Sequence, residues 1–114
     1  MPRHTQVERL GDALVVQFHD SKITGDLAIS GLGDELYAIV GRPDCQKLVL
    51  DFSNVDFLSS AMLGKLISIN RKMKERGGTL RLCGICPNIR LIFKYTHLET
   101  IFDIRDTQSD AVEA

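Results

Sequence analysis

Two adjacent hydroxyl groups, those of Ser59 and Ser60, are the side chains of this sequence with the clearest chemical potential. They follow the apolar run 47–52 and stand where a helical pattern begins. A serine in this position can act as a nucleophile, accept a phosphate or cap the helix by accepting hydrogen bonds from open N–H groups. Residue types alone favour the cap, because serine is among the best residues for a helix start.

Hydrolysis is not indicated for these serines. A nucleophilic serine needs a base within hydrogen-bond reach, and its elbow usually has the sequence G-x-S-x-G. The flanking residues 58–62 are Leu-Ser-Ser-Ala-Met and do not match. The three histidines, His4, His19 and His97, have no spacing that assigns one of them as the base. Acyl transfer is therefore not expected.

The pair Cys83 and Cys86 forms a C-x-x-C motif, which in redox proteins opens a helix so that the first thiol gains from the helix dipole. Here the first cysteine stands at the end of a predicted strand. A second C-x-x-C and an H-x-x-x-H are both missing, so a zinc site cannot be assembled by a familiar spacing. The pattern favours two small residues at a strand end, with thiol redox chemistry as an open alternative.

Charge and composition limit the partners. Fourteen basic and fifteen acidic residues among 114 give a formal net charge of −1, which supplies no long-range attraction to nucleic acid. Neither a P-loop nor a dinucleotide fingerprint occurs, and no carboxylate pair is placed for catalysis, so no enzyme site is predicted. No stretch reaches the roughly 20 apolar residues of a membrane span, and the N-terminus lacks a signal-peptide core. We expect a single cytoplasmic domain, 1–114, with reduced thiols.

The hydrophobic periodicity predicts strands that alternate with helices after an initial hairpin. Gly31 and Gly33 predict that the first half of the first helix frays or starts late. Residues 106–114 are polar enough for a terminal helix or a frayed tail. The predicted elements are a hairpin of 7–10 and 13–18, a helix 26–40, a strand 47–52, a helix 60–76, a strand 79–83, a short helix from Pro87 to Tyr95 and a last strand 100–104.

This order predicts an α/β domain with a mixed sheet, in which right-handed crossovers join parallel strands. In such sheets, sites gather where strands end and helices begin. The loop 51–60 is a place of that kind.

The segment 48–61, Leu-Val-Leu-Asp-Phe-Ser-Asn-Val-Asp-Phe-Leu-Ser-Ser-Ala, resembles the signature of the STAS domain family, which includes the bacterial anti-sigma factor antagonists. The likeness continues through segments 77–83, 87–93, 96–98 and 101–102 in the expected order. It implies a sheet with an N-terminal hairpin followed by βα units in a right-handed superhelix. It also implies the absence of a cofactor and a function performed by binding.

In the antagonists, a serine at the start of the helix after the central strand is phosphorylated by a partner that is both serine kinase and anti-sigma factor. Ser60 occupies that position. The resemblance implies that the unphosphorylated form binds this partner and that the phosphorylated form does not. Under this hypothesis we expect a docking surface made by the loops 20–26 and 51–60 and by the Ser60 helix. The residues assigned to partner binding are Asp26, Asp56, Ser59, Ala61 and Met62.

Three positions depart from the pattern of the antagonists. Ser59 stands where aspartate is common, and Met62 stands where glycine is common. His97 replaces the glycine that usually ends the short helix, and we expect it to adopt the left-handed backbone that histidine tolerates.

Two alternatives remain open from the sequence. The chain could be a constitutive STAS interaction subunit of a larger signalling or lipid-transport assembly, in which Ser59 and Ser60 only cap the helix. It could also be a thiol redox protein that uses Cys83 and Cys86. The sequence does not identify the partner, the pathway or the oligomeric state.

Overall fold

The computed structural model describes residues 4–113, and its elements follow the predicted alternation of strands and helices. The described elements, in chain order, are β1 (Thr5–Leu10), β2 (Ala13–Phe18), β3 (Lys22–Ile23), α1 (Asp26–Val40), β4 (Lys47–Asp51), β5 (Phe57–Leu58), α2 (Ser60–Glu75), β6 (Thr79–Cys83), α3 (Pro87–Tyr95), a 3₁₀ helix (Leu98–Thr100), β7 (Asp103–Arg105) and α4 (Gln108–Glu113).

A five-stranded mixed sheet forms the centre of the fold, with the strand order β1-β2-β4-β6-β7. β1 and β2 form the predicted antiparallel hairpin, and Gly11 in its turn has a φ of 62°. β2, β4, β6 and β7 are parallel to one another, so each connection between them crosses over the sheet. The predicted fold class, a mixed sheet with an N-terminal hairpin followed by βα units, is confirmed.

The sheet is buried on both faces, which explains the continuous apolar runs of β2 and β4. On one face, Leu48 and Leu50 belong to the large core that α1, α2 and α3 cover. On the other face, Val15 and Val49 pack with Ala111 of α4 in a smaller cluster. Of the terminal segment 106–114, residues Gln108–Glu113 form the helix α4, which covers this second face of the sheet.

Two predicted element starts are wrong, namely the late start of the first helix and the start of the last strand at residue 100. α1 spans Asp26–Val40 as predicted, so it does not start late. Gly33 is buried where the stem of Lys65 packs across it, and a Cβ there would lie 3.3 Å from Lys65 Cδ. The last strand begins at Asp103 and not at Thr100, because Leu98 and Phe102 turn into the core around a 3₁₀ helix. Leu98 and Phe102 are four positions apart, and a helical turn brings side chains at that spacing close together on one face.

His97, which precedes this 3₁₀ helix, has a φ of 60° and a ψ of 17°. This is the left-handed conformation expected from the sequence, and it is the one positive φ outside glycine among residues 4–113.

Asp51 ends the central strand β4 as a buried carboxylate, with 4% of its surface exposed. Ser53 donates hydrogen bonds to Asp51 Oδ1 from its hydroxyl and from its backbone N–H, the latter at 2.9 Å. The amides of Gln17 and Gln108 donate to Oδ2 at 3.3 and 2.9 Å. One carboxylate thus joins β2, β4 and α4 to the loop that leads to Ser60.

The hydrogen bonds determine the charge state of Asp51. Burial is the largest single influence on its pKa and raises it, but the donors from Ser53, Gln17 and Gln108 together outweigh burial, so the pKa lies below the ordinary value. Gly84 allows this arrangement because a Cβ there would lie 2.8 Å from Asp51 Oδ1 and 2.5 Å from Ser53 Oγ.

No helix within residues 4–113 is long and apolar enough to cross a membrane.

We predict that Asp51→Asn lowers the free energy of unfolding by about 2–4 kcal/mol at neutral pH, because the donors around Oδ1 and Oδ2 lose a charged acceptor. Since the folded pKa of Asp51 is below the unfolded value of about 3.9, its contribution is complete above about pH 5 and is lost as the pH falls through the folded pKa. Urea denaturation of both proteins across this pH range measures the difference.

The matched control is Asp34→Asn, an exposed carboxylate on α1 whose removal should change stability by less than about 0.5 kcal/mol. A difference between wild type and Asp51→Asn that stays constant down to pH 2 would contradict the assigned role of the charge.

Candidate functional site

A second, very small sheet lies outside the central one and was missed in the sequence. β3 pairs in parallel with β5, with Lys22 opposite Phe57 and Ile23 opposite Leu58. The backbone N–H of Asp56 donates to Ser21 O at 2.8 Å, and that of Ser59 donates to Ile23 O at 3.0 Å. Strands of two residues show no periodicity, so the pattern could not reveal them.

This pairing brings two helix starts together. α1 begins three residues after Ile23, and α2 begins two residues after Leu58. Because the two strands are parallel and in register, the N-termini of α1 and α2 lie side by side and point in the same direction. Their unpaired N–H groups and partial positive charges therefore meet at one end of the protein.

Ser60 is the first residue of α2 and is exposed at this end. Ser59 is the N-cap residue, with an extended backbone, and its carbonyl accepts hydrogen bonds from the N–H groups of Met62 and Leu63 at 3.1 and 3.4 Å. Neither hydroxyl makes the capping hydrogen bond that residue types favoured. The Ser59 hydroxyl is buried and has no hydrogen-bond partner among residues 4–113. The start of α2 thus has no side-chain cap, and its first N–H groups remain open.

Four of the five residues assigned to partner binding lie at this end of the protein. Asp26 is the exposed first residue of α1, and Ala61 is exposed beside Ser60. Asp56 is exposed and lies 3.3 Å from Lys22 Nζ, whereas Ser59 is half-buried. Their use in docking remains a prediction.

Met62 requires a correction. Its side chain is 0% exposed, so it cannot meet a partner at the surface of this fold. The physical reason is its place on α2, where Met62, Leu66, Ile69 and Met73 form the stripe that packs into the core. The docking role predicted for Met62 is therefore wrong.

Two apolar side chains at the same end were not assigned from the sequence. Leu27 in the first turn of α1 is 91% exposed, and Phe57 on β5 is 45% exposed. A signal for Leu27 was present, because it lies outside the i, i+3, i+4 stripe formed by Ile29, Leu32 and Leu36. Phe57 alternates with the buried Leu58, but the strand is too short for that alternation to be recognised.

The charge at this end is acidic. The loop 20–26 and β5 bring together the carboxylates of Asp20, Asp26 and Asp56 with one ammonium group, that of Lys22. His4 Nδ1 lies 3.3 Å from Asp20 Oδ2. We use the name docking end for this surface, defined by the loops 20–26 and 56–59 and by the first turns of α1 and α2.

The two cysteines of the C-x-x-C motif have different surroundings. Cys83 is fully buried at the end of β6, and burial together with the charge of Asp51 raises its pKa to about 12. Cys86 is half-buried at the N-cap of α3, with Sγ 4.0 Å from the carbonyl oxygen of Asp56. A redox pair needs sulfur atoms that a substrate thiol can reach, and Cys83 is 0% exposed. The structure therefore argues against the redox alternative.

Metal ligands are not clustered in the described part of the chain: no group of three or more histidine, cysteine, aspartate or glutamate side chains there is placed to hold an ion.

We predict that Cys86 in the native protein reacts with iodoacetamide at least about tenfold faster than Cys83, because a buried thiol of raised pKa offers little thiolate. Mass spectrometry of peptides after timed quenching measures both rates. Labelling in denaturant is the control, and there both cysteines should react alike. Rapid formation of a Cys83–Cys86 disulfide under mild oxidation would contradict this prediction.

Comparison with known proteins identifies the family. The family model described as STAS domain matches residues 5–111. This chain belongs to the STAS domain family. The resemblance found in segment 48–61 is therefore confirmed.

Relatives of this STAS protein carry related names. A protein of Bordetella bronchiseptica named as a candidate anti-sigma factor antagonist, BtrV, is 29% identical over 80 residues, which cover 70% of this chain and 68% of the relative. The crystal structure of an anti-sigma factor antagonist from Mycobacterium paratuberculosis has a TM-score of 0.81 and 27% identity, covering 96% of this chain and 90% of that one.

A more distant structure shows the fold alone. The Bacillus cell fate determinant SpoIIAA in its phosphorylated form has a TM-score of 0.71 and 15% identity, with coverage of 96% for both chains.

Proposed function

We propose that this STAS protein is an anti-sigma factor antagonist that binds an anti-sigma factor with serine kinase activity and is switched off by phosphorylation of Ser60. The observation that carries the proposal is the exposed Ser60 at the first position of α2, beside the start of α1. The names of the relatives support the class of partner. The protein acts by binding, and its partner performs the phosphoryl transfer.

The first turn of a helix is a suitable place for an added phosphate. The phosphate brings about −1.5 to −2 charges at neutral pH, and the open N–H groups of α2 together with the helix dipole stabilise negative charge there. Ser60 is exposed and its hydroxyl is not a cap, so phosphorylation removes no capping interaction from the fold. The fold should therefore remain intact in both states.

The same phosphate is unfavourable for a close contact. A partner that covers Ser60 must strip water from a nearly dianionic group, and desolvation of a charge without a fixed counter-charge is costly. The carboxylates of Asp26 and Asp56 at the docking end add negative charge. The switch thus acts on the interface.

One observation favours a second candidate function, a constitutive STAS interaction subunit of a larger signalling or lipid-transport assembly. The residue before the acceptor is Ser59, which has no carboxylate, and its hydroxyl is buried. A kinase that recognises an acidic side chain at this position would find none. In this case the docking end binds its partner permanently and Ser60 is not modified.

We predict that incubation with the anti-sigma factor kinase of the same organism and ATP adds one phosphate to the wild type and to Ser59→Ala, and none to Ser60→Ala. The physical reason is accessibility, because the Ser60 side chain is exposed and the Ser59 hydroxyl is not. Intact-protein mass spectrometry measures the modification, and peptide fragmentation identifies its position.

Binding to the same kinase without ATP separates the two candidate functions. The switch predicts that Ser60→Asp weakens binding at least about tenfold, whereas Ser60→Ala binds like the wild type. Equal binding of all three proteins, with no phosphate found on the wild type, would establish the constitutive subunit instead.

A further inference from the structure

The docking end carries an unusual pair of exposed apolar side chains. A single exposed leucine is ordinary on a protein surface. Leu27, however, is 91% exposed on the first turn of α1, and Phe57 is 45% exposed on β5, which leads directly to Ser60. Because β3 and β5 are paired, these two side chains lie on adjoining βα units at the same end of the protein. Apolar side chains of this kind are the usual anchors of protein interfaces.

The charges around these anchors are mostly negative. Asp20, Asp26 and Asp56 contribute three carboxylates, and Lys22 lies 3.3 Å from Asp56. The first cation of α2 is Lys65, whose stem packs over Gly33 and whose Nζ lies 6.0 Å from the Tyr37 ring centre, in the groove between α1 and α2. The docking end therefore presents apolar anchors with an acidic rim.

We propose that the partner of the docking end is a protein with an apolar depression for Leu27 and Phe57, bordered by lysine or arginine side chains that face Asp20, Asp26 and Asp56. This inference rests on the proposed function, in which the surface around Ser60 binds the anti-sigma factor kinase. It adds the chemistry of the partner surface and two contact residues, Leu27 and Phe57, that were not assigned to docking from the sequence.

A basic partner imposes a condition on the phosphorylation switch. Basic side chains next to Ser60 would attract the phosphate, and phosphorylation would then strengthen the complex. Release by phosphorylation therefore requires that Ser60 lies in the desolvated centre with the apolar anchors, while the basic side chains lie at the rim. Charged groups at a rim act mainly on the association rate and are screened by salt, whereas a charge buried at the centre is screened much less.

The test measures binding of the anti-sigma factor kinase of the same organism, without ATP, to variants of the full chain. We expect Leu27→Ser and Phe57→Ser to weaken binding at least about tenfold each. The matched control is Leu91→Ser on α3, which is 49% exposed but lies outside the docking end, and it should bind like the wild type. Thermal unfolding of each variant verifies that folding is retained.

The acidic rim is tested by rates and by salt. Asp26→Asn and Asp56→Asn should lower the association rate severalfold at low ionic strength and reduce its salt dependence, whereas Asp110→Asn on α4 should change neither. The weakening caused by Ser60→Asp should persist in 0.5 M NaCl, because it arises from desolvation at the centre.

The outcomes distinguish this inference from the function on which it rests. If Ser60 is phosphorylated and the wild type binds, but Leu27→Ser and Phe57→Ser bind equally well, the anchors are overturned and the proposed function stands. Binding that Leu91→Ser weakens as much as Leu27→Ser also overturns the inference, because the contact is then not confined to the docking end. A wild type that neither binds the kinase nor accepts phosphate overturns both.

Discussion

The buried carboxylate of Asp51 is the interaction on which the arrangement of this STAS domain depends. It lies at the end of the central strand, where Gln17 from β2, Gln108 from α4 and Ser53 from the following loop all donate to it. A charge in this position would be costly without partners, and a set of donors without an acceptor would be costly as well. The cluster therefore fixes the direction in which the chain leaves the sheet on its way to Ser60.

The docking end is built by a different means from the sheet. The central strands β2 and β4 are stabilised by apolar side chains on both faces, whereas the two helix starts are held beside each other by the pairing of β3 with β5. Ile23 and Leu58 anchor this pair in the core, and Lys22 and Phe57 occupy the opposite, outer side. The surface that carries Ser60 is thus rigidly connected to the core while its exposed side chains make few contacts with it.

Much of the fold was predictable because its elements are long enough to show a period. β4 is a mainly apolar run, β6 alternates between polar and apolar side chains, and Leu66, Ile69 and Met73 recur on one stripe of α2 at helical spacing. Met62 belongs to the same stripe, so its burial was predictable from the sequence. A buried position is incompatible with the docking role that was assigned to Met62. The strands β3 and β5 have only two residues each, which is too short to show an alternation of buried and exposed side chains.

The site was predictable to a smaller extent, because it depends on contacts between residues far apart in the chain. Gln108 and Asp51 are 57 positions apart and meet only after α4 has packed on the back of the sheet. The family signature indicated Ser60, but residue types suggested a side-chain cap that the structure does not contain. Leu27 lies outside the apolar stripe of α1, but only the structure shows that its side chain is 91% exposed at the docking end.

The pairing of β3 with β5 has a consequence for how such proteins diverge. The bonds that hold the docking end in place run between main-chain atoms, from the N–H groups of Asp56 and Ser59 to the carbonyls of Ser21 and Ile23. Substitutions at Lys22, Leu27 or Phe57 can therefore replace one chemistry with another on an unchanged geometry. Duplicated copies of such a gene can acquire separate partners by a few surface substitutions. Each copy can then bind its own partner in the same cell while the backbone framework stays unchanged.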